Sequence, residues 1–396
     1  MTLPDAPWQH RPGMGRLLET LGAAHGETRF VGGCVRDALL GLDVSDVDLA
    51  TRIAPEEVMR RLEAARIKAV PTGLAHGTVT AVIEGRPVEV TTLRRDVATD
   101  GRRATIAYTE DWREDAARRD FTINALSADP VSREIFDYFD GVADLDARRV
   151  RFIGDPLIRI GEDHLRILRF FRFHARFASD VPDAAALDAC AARANDLMAL
   201  SRERIADELL KLLALPDPGP AAQLMVAHGI FRPVLPEIAS ADRLDALVAA
   251  EREAGIAPQA IRRLAALLPE DAEAATAVTA RLRLSKRAAK RLVSAAETRL
   301  DAPHLLAYEI GIEEAVDRFL LQGRTDVALR ELQEWRAPRL PIGGGDLIAM
   351  GLAAGPEVAR TLQAIEREWA STGFPDEAAV RALARRHVDQ VLRSSQ

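Results

Sequence analysis

The feature that most limits what this chain can fold into is a change of hydrophobic period near Ile153. Before it lie short alternating runs, Thr28–Val31, Gly77–Ile83 and Pro87–Leu93, bounded by turn residues such as Glu84-Gly85. Such period-two patterns suit strands with one buried face. From about Ile153 to Gln396 apolar residues recur at helical spacing instead. The expected class is therefore α+β, a mixed sheet with helices followed by an all-helical remainder. At 396 residues the chain exceeds one compact core and should form two to four domains. Pro216, Pro218 and Pro220 interrupt the helical tract and suggest a boundary, with further helical sections over about 221–300 and 303–396.

Composition narrows the setting. No apolar run approaches the ~18–20 residues of a membrane span, and Met1 to Gly15 shows no basic-then-apolar export signal. Cys34 and Cys190 are too few for a zinc cluster, so a reducing, cytoplasmic compartment is expected. A net charge of −7 argues against indiscriminate coating of nucleic acid. The arginines are nonetheless concentrated: Arg148, Arg149, Arg151, Arg159, Arg166, Arg169, Arg172 and Arg176 share one window. A local basic surface on an acidic chain suits a specific nucleic-acid partner or nucleotide phosphates.

In Val44-Ser45-Asp46-Val47-Asp48-Leu49, extended backbone puts Asp46 and Asp48 on one side and Val47 and Leu49 on the other. Paired carboxylates repel unless a cation joins them, and hard oxygen ligands of this kind suit Mg²⁺. A solvated turn presents the same tripeptide, so the surroundings decide. Val88 and Val90 face inward on their strand, which turns Glu89 outward as a candidate third carboxylate. Thr28–Val31 runs into Gly32-Gly33 and a helix carrying Arg36, where backbone N–H groups can approach phosphate. Residues 94–117 are polar, include Asp100-Gly101 and read as a mobile loop. Arg118-Arg119-Asp120 precedes the apolar Phe121–Leu126, where Asp120 can cap the element or hydrogen-bond a ribose. The turn-rich run 137–145 reads as a junction between domains.

Glu162 to Phe173 reads as one helix with an apolar back, Ile167, Leu168 and Phe171, and a charged front of Glu162, Asp163, Arg166, Arg169, Arg172 and Arg176. An Asp163–Arg166 salt bridge at i,i+3 is the simplest structural account of the pair. Ser201 stands where it can cap the helix that opens with Glu203-Arg204. Gly343–Gly345 opens a helix but follows no strand, so no phosphate site is read there.

Taken in order, Gly32-Gly33-x-x-Arg36-Asp37, Asp46-x-Asp48, Arg118-Arg119-Asp120, Asp137-x3-Gly141-x2-Asp144, Glu162-Asp163-x-x-Arg166 and Glu203-Arg204-Ile205 resemble the class II CCA-adding tRNA nucleotidyltransferases of the polymerase-β superfamily. The motifs span roughly residues 28–215. The resemblance implies a nucleotidyltransferase head (1–147), a helical neck with a base-recognition helix (148–215), a body (216–300) and a tRNA-binding tail (301–396). It implies Mg²⁺ on Asp46 and Asp48, Glu89 as a further catalytic carboxylate, and triphosphate contacts from Gly33 and Arg36. Arg119 and Asp120 fall in the ribose motif, with Arg118 and Asn124 counted among the nucleotide contacts. Asp163 and Arg166 correspond to the pair that reads the base edge of CTP or ATP, with Glu162, Arg169 and Arg172 beside them. The 94–117 segment corresponds to the flexible part associated with the final A. Expected partners are tRNA, CTP and ATP, with neither DNA nor membrane. Pro71–Thr78 looks CCA-like rather than like poly(A) polymerase, and no phosphohydrolase motif is present. Partial CC- or A-addition, poly(A) synthesis, or RNA binding without catalysis are the alternatives.

Overall fold

The computed structural model describes residues 1–99, 104–179 and 181–394. The chain forms two compact units, Met1–Pro236 and Glu237–Gln396.

In the first unit a short helix α1 (Met14–Thr20) leads to β1 (Thr28–Val31), α2 (Gly33–Leu39), β2 (Asp48–Thr51), α3 (Pro55–Ala64), β3 (Lys68–Gly73), β4 (Thr78–Ile83) and β5 (Arg86–Thr92). Then come β6 (Arg94–Thr99), β7 (Ala104–Tyr108), α4 (Trp112–Ala117), β8 (Ser127–Ala128), β9 (Ile135–Phe136) and α5 (Gly141–Asp146). Seven strands make one sheet in the order β3-β4-β5-β2-β1-β8-β9, with β6-β7 a separate pair. Among the described residues of this sheet only the β2–β5 pairing is parallel, and it sets Asp48 opposite Glu89. The alternation expected around the acid pair holds: Val47 and Leu49 are buried, while Asp46 is exposed and Asp48 partly so. The strand itself begins at Asp48, so Asp46 stands on the segment entering it.

Five more helices complete this unit: α6 (Pro156–Glu162), α7 (Arg166–Phe177), α8 (Ala184–Ala192), α9 (Arg202–Leu213) and α10 (Gly219–Ala227). Two rings of α7 outside its expected apolar back, Phe170 and Phe173, seat it against Phe121 and Phe152. Phe170 and Phe173 lie 6.4 and 5.3 Å from the Phe121 ring, and Phe152 lies 4.9 Å from it. These four rings are buried, and their transfer from water supplies much of the force that fixes the arginine face of α7.

Three expectations need correcting. Residues 94–117 are not a loop: the described parts form the β6–β7 hairpin and α4, while Asp100-Gly101 lies outside the described residues. The segment reads as polar because its polar groups serve one another. Asp111 caps α4 by accepting from the Arg113 N–H, and buried Asp115 accepts from the Arg94 N–H and the Arg118 side chain. Second, Glu162–Phe173 is two helices. Asp163 is extended (φ −150°, ψ 107°), and its Oδ1 accepts the Leu165 N–H at 3.1 Å, a local bond that competes with helix. Third, Ser201 occupies the N-cap position of α9 without a side-chain capping bond. The edge strand β3 was missed, since its mostly exposed residues and Pro71 leave no alternation to read.

The second unit contains α11 (Asp242–Ala254), α12 (Ala260–Leu267), α13 (Ala272–Arg281), α14 (Lys286–Ala295), α15 (Pro303–Ile310), α16 (Ile312–Leu321), α17 (Val327–Glu334), α18 (Gly344–Ala349), α19 (Pro356–Ser371) and α20 (Glu377–Ser394). As expected, a glycine run opens α18, where Asp346 accepts the Gly343 N–H at 2.8 Å. No described helix is long and apolar enough to cross a membrane.

Candidate active site

An open cleft of about 810 Å³ in the first unit gathers nearly all the residues singled out from the sequence. Gly33, Arg36, Asp46, Asp48, Glu89, Arg118, Arg119, Asp120, Asn124, Asp163, Arg166, Arg169 and Arg172 line it. Its volume suits a nucleotide-sized ligand. Gly32, Asp37, Val44, Ser45, Phe173, Arg176 and Lys211 line it too. Glu162 does not.

One part of the cleft is acidic. Burial pushes the Asp48 carboxyl up to about 6, and Glu89 across the β2–β5 ladder adds to this, as does Asp46. A carboxylate so placed gains from a cation. Among the described residues no group of three Asp, Glu, His or Cys side chains is disposed to hold a metal alone. The Asp46 and Asp48 carboxylates are hard oxygen donors of the kind that suits a divalent cation.

The other walls are arginines, each steered by a carboxylate. Gly32 has φ +69° and ψ −123°, a backbone conformation that favours glycine at the turn into α2. Arg36 is buried, held by Asp37 at 2.8 Å and by Asn124, with its guanidinium 4.2 Å from the Phe177 ring. Asp120 takes the structural role expected of it at the start of the apolar segment, and it also pairs with an arginine that the sequence had not linked to it. Its Oδ1 accepts from the Phe121 N–H and the Asn124 amide at 2.9 Å, and its Oδ2 accepts from Arg169 at 2.7 Å. Burial alone would raise the Asp120 carboxyl, but Arg169 and these hydrogen bonds outweigh it and hold it at about 2.

Asp163 and Arg166 both face the cleft but do not pair with each other. Arg204 donates to both Asp163 oxygens, at 3.1 and 2.9 Å. Arg166 donates through Nη1 to the Arg159 carbonyl at 2.9 Å and Glu162 at 2.6 Å, and through Nη2 to the Arg118 carbonyl at 3.0 Å. Of its five N–H groups, Nε–H and one on Nη2 stay uncommitted among the described residues. Glu162 thus lies behind the cleft wall, fixing Arg159 and Arg166.

Arg204 and Glu208 were not among the expected site residues. Buried Glu208 accepts from Arg172 at 2.6 Å and lies 3.5 Å from Arg169. The signal was available: Arg204 and Glu208 sit four apart on one face of α9, and a Glu among Ile205, Leu209 and Leu212 is an odd core residue unless it has cationic partners.

The family profile "Poly A polymerase head domain" matches residues 28–151, and "Probable RNA and SrmB- binding site of polymerase A" matches residues 183–242. The mitochondrial CCA tRNA nucleotidyltransferase 1 of Mus musculus is 33% identical over 383 residues, covering 91% of this chain and 87% of its own. This chain belongs to the CCA-adding enzyme family. The CCA-adding enzyme of Levilactobacillus brevis is 31% identical over 95% of this chain and 96% of its own. The crystal structure of the Bacillus stearothermophilus CCA-adding enzyme in complex with CTP superposes with a TM-score of 0.77 at 27% identity, covering 99% of this chain and 100% of that one. The chain is thus a nucleotidyltransferase with the α+β head and helical remainder expected of the family, whose chemistry depends on a divalent metal.

Proposed function

We propose that this enzyme adds C, C and A in turn to the 3′ end of tRNA, using CTP and ATP and releasing pyrophosphate. The observation that carries the reading is the single cleft in which the Asp46–Asp48–Glu89 wall meets the Asp163–Arg166 wall.

Mg²⁺ is the metal that Asp46 and Asp48 fit best, and a bound divalent ion would acidify the terminal 3′-hydroxyl and neutralise the departing pyrophosphate. The protein's own groups do the positioning. Gly33 and Arg36 receive the triphosphate, and Arg118 and Arg119 add positive charge beside it. Asp120, kept ionised by Arg169, and Asn124 form a rigid polar edge for the ribose. Asp163, fixed by Arg204, offers acceptors, while the uncommitted Nε–H and Nη2–H of Arg166 offer donors. Together they can pair with a base edge as another base would, which removes the need for a nucleic-acid template. Glu162 serves this by holding Arg166, and Glu208 by holding Arg169 and Arg172. In this reading residues 148–215 act as neck, 216–300 as body and 301–396 as a tRNA-binding tail. The buried free thiols Cys34 and Cys190 accord with a reducing compartment such as the cytoplasm.

The test is to give the enzyme tRNA trimmed to its discriminator base, with CTP, ATP and Mg²⁺, and sequence the products. The expected product carries CCA and grows no further. Long A tails on unrelated RNA would indicate a poly(A) polymerase, and arrest after two C residues a CC-adding relative.

A further inference from the structure

The part of the cleft that carries Gly33 and Arg36 holds a second guanidinium with no task assigned above. Arg176, near the end of α7, lines the same cleft. It shares Asp37 with Arg36, but unequally. Arg36 takes Oδ1 through both Nε (2.8 Å) and Nη2 (2.7 Å), is also held by Asn124, and is 5% exposed. Arg176 reaches Oδ2 by one bond of 3.2 Å from Nη2, and its side chain is 38% exposed. Among the described residues that is the only hydrogen bond of its side chain. The Phe177 ring lies 4.2 Å from the Arg36 guanidinium carbon and 4.8 Å from that of Arg176, so both cations rest on one aromatic surface. One arginine is locked and the other is loosely held.

We propose that Arg176 binds the triphosphate of the incoming nucleotide, exchanging Asp37 for phosphate oxygens while Arg36 stays in place. The exchange leaves no buried carboxylate unpaired, because Asp37 keeps its two-point contact with Arg36. A triphosphate concentrates more charge than one carboxylate and suits the planar fork of arginine. Position along α7 assigns Arg176 to the phosphate end rather than the base end. Arg176 is ten residues beyond Arg166, about 15 Å at 1.5 Å per residue, a span comparable to an extended nucleoside triphosphate. The inference rests on Arg166 facing the base.

Direct binding of CTP, ATP, CMP and pyrophosphate to the full chain tests it, with Arg176→Ala and Arg176→Lys beside the wild type. Arg176→Ala should weaken CTP and ATP alike by about tenfold or more, the worth of a hydrogen bond between charged groups. Binding of CMP should not change, pyrophosphate should inhibit less by a similar factor, and the choice between C and A should be unaltered. Lysine, lacking the fork, should restore only part of the loss. Equal weakening of CTP and CMP, or no change in either, overturns the inference while a wild type that adds nucleotides leaves the proposed function standing. A wild type that binds no CTP overturns both.

Discussion

Both units of this protein bury arginines against carboxylates, and the contrast between them shows which buried charge does chemistry. In the second unit Glu251 binds Arg262 at 2.7 Å and Arg263 at 2.8 Å, and Asp317 binds Arg262 at 3.1 Å and Arg291 at 2.9 Å. Arg262, Arg263, Glu251 and Asp317 are each at most 2% exposed. The buried charges satisfy one another: Arg262 gives a further Nη2 donor to the Ala257 carbonyl, and Arg291 links the network outward to Glu313 at the surface. In the first unit the charges are similar in kind but open to a cleft. There Asp46, Asp48 and Glu89 face one another, no ion pair reaches any of them among the described residues although the charge of Arg119 is felt at Asp48, and Arg166 and Arg176 keep donors free. A satisfied ion network is scaffold, whereas an unbalanced one at a cavity waits for a ligand.

That contrast breaks first at Asp48. Asp48→Asn should lower nucleotide addition on the order of a thousandfold, the scale seen when a major electrostatic element is removed. Its melting temperature should stay level or rise slightly, because the change relieves repulsion with Glu89. Gel-resolved extension of tRNA and a thermal melt check the two halves; substantial turnover at saturating Mg²⁺ contradicts the assignment.

Glu251→Gln should behave in the opposite sense. Leaving Arg262 and Arg263 short of a buried counter-charge should cost about 3 kcal/mol or more of stability, read by denaturant unfolding. Activity per folded molecule, measured well below the transition, should match the wild type.

Asp120 lies between these cases, since it faces the cleft yet is fully paired. Its carboxyl sits at about 2 instead of the ordinary 3.8. Because the folded value is depressed, the stabilisation is complete above the unfolded value and disappears as pH falls through the folded one. It amounts to about 2 kcal/mol. The stability gap between wild type and Asp120→Asn should therefore be wide near about pH 6 and narrow by about pH 2. A gap that ignores pH would mean Arg169 gains nothing from that charge.

How much of this was readable from sequence differs between the same regions. Asp46, Asp48 and Glu89 were legible because strand alternation fixes the side on which each stands. The arginine stripe of α7 was legible from helical period, yet its partners were not. Glu208 lies 36 residues from Arg172, and Asp37 lies 139 from Arg176, separations that no local pattern encodes. The break at Asp163 was hidden for a related reason, since one side-chain bond to the Leu165 N–H overrides an otherwise continuous helical period. The β6–β7 hairpin and α4 were hidden because polar residues that satisfy one another look like loop. In the second unit no local pattern marks Arg262 and Arg263 as buried, since Glu251 and Asp317 reach them from 11, 12 and 55 residues away.

The central claim is that protein groups, rather than a nucleic-acid template, choose the base. The most direct measurement gives wild type and Asp163→Ala trimmed tRNA with CTP and ATP in equal amounts and sequences the 3′ ends. Loss of one good bidentate base contact is worth roughly 1–3 kcal/mol of discrimination, by analogy with groove readout. Wild type should yield CCA, while Asp163→Ala should yield slower addition with C and A mixed at each position. Arg204→Ala should do the same more weakly, because it frees Asp163 without removing it. An Asp163→Ala enzyme that is slow but still writes only CCA would contradict the account.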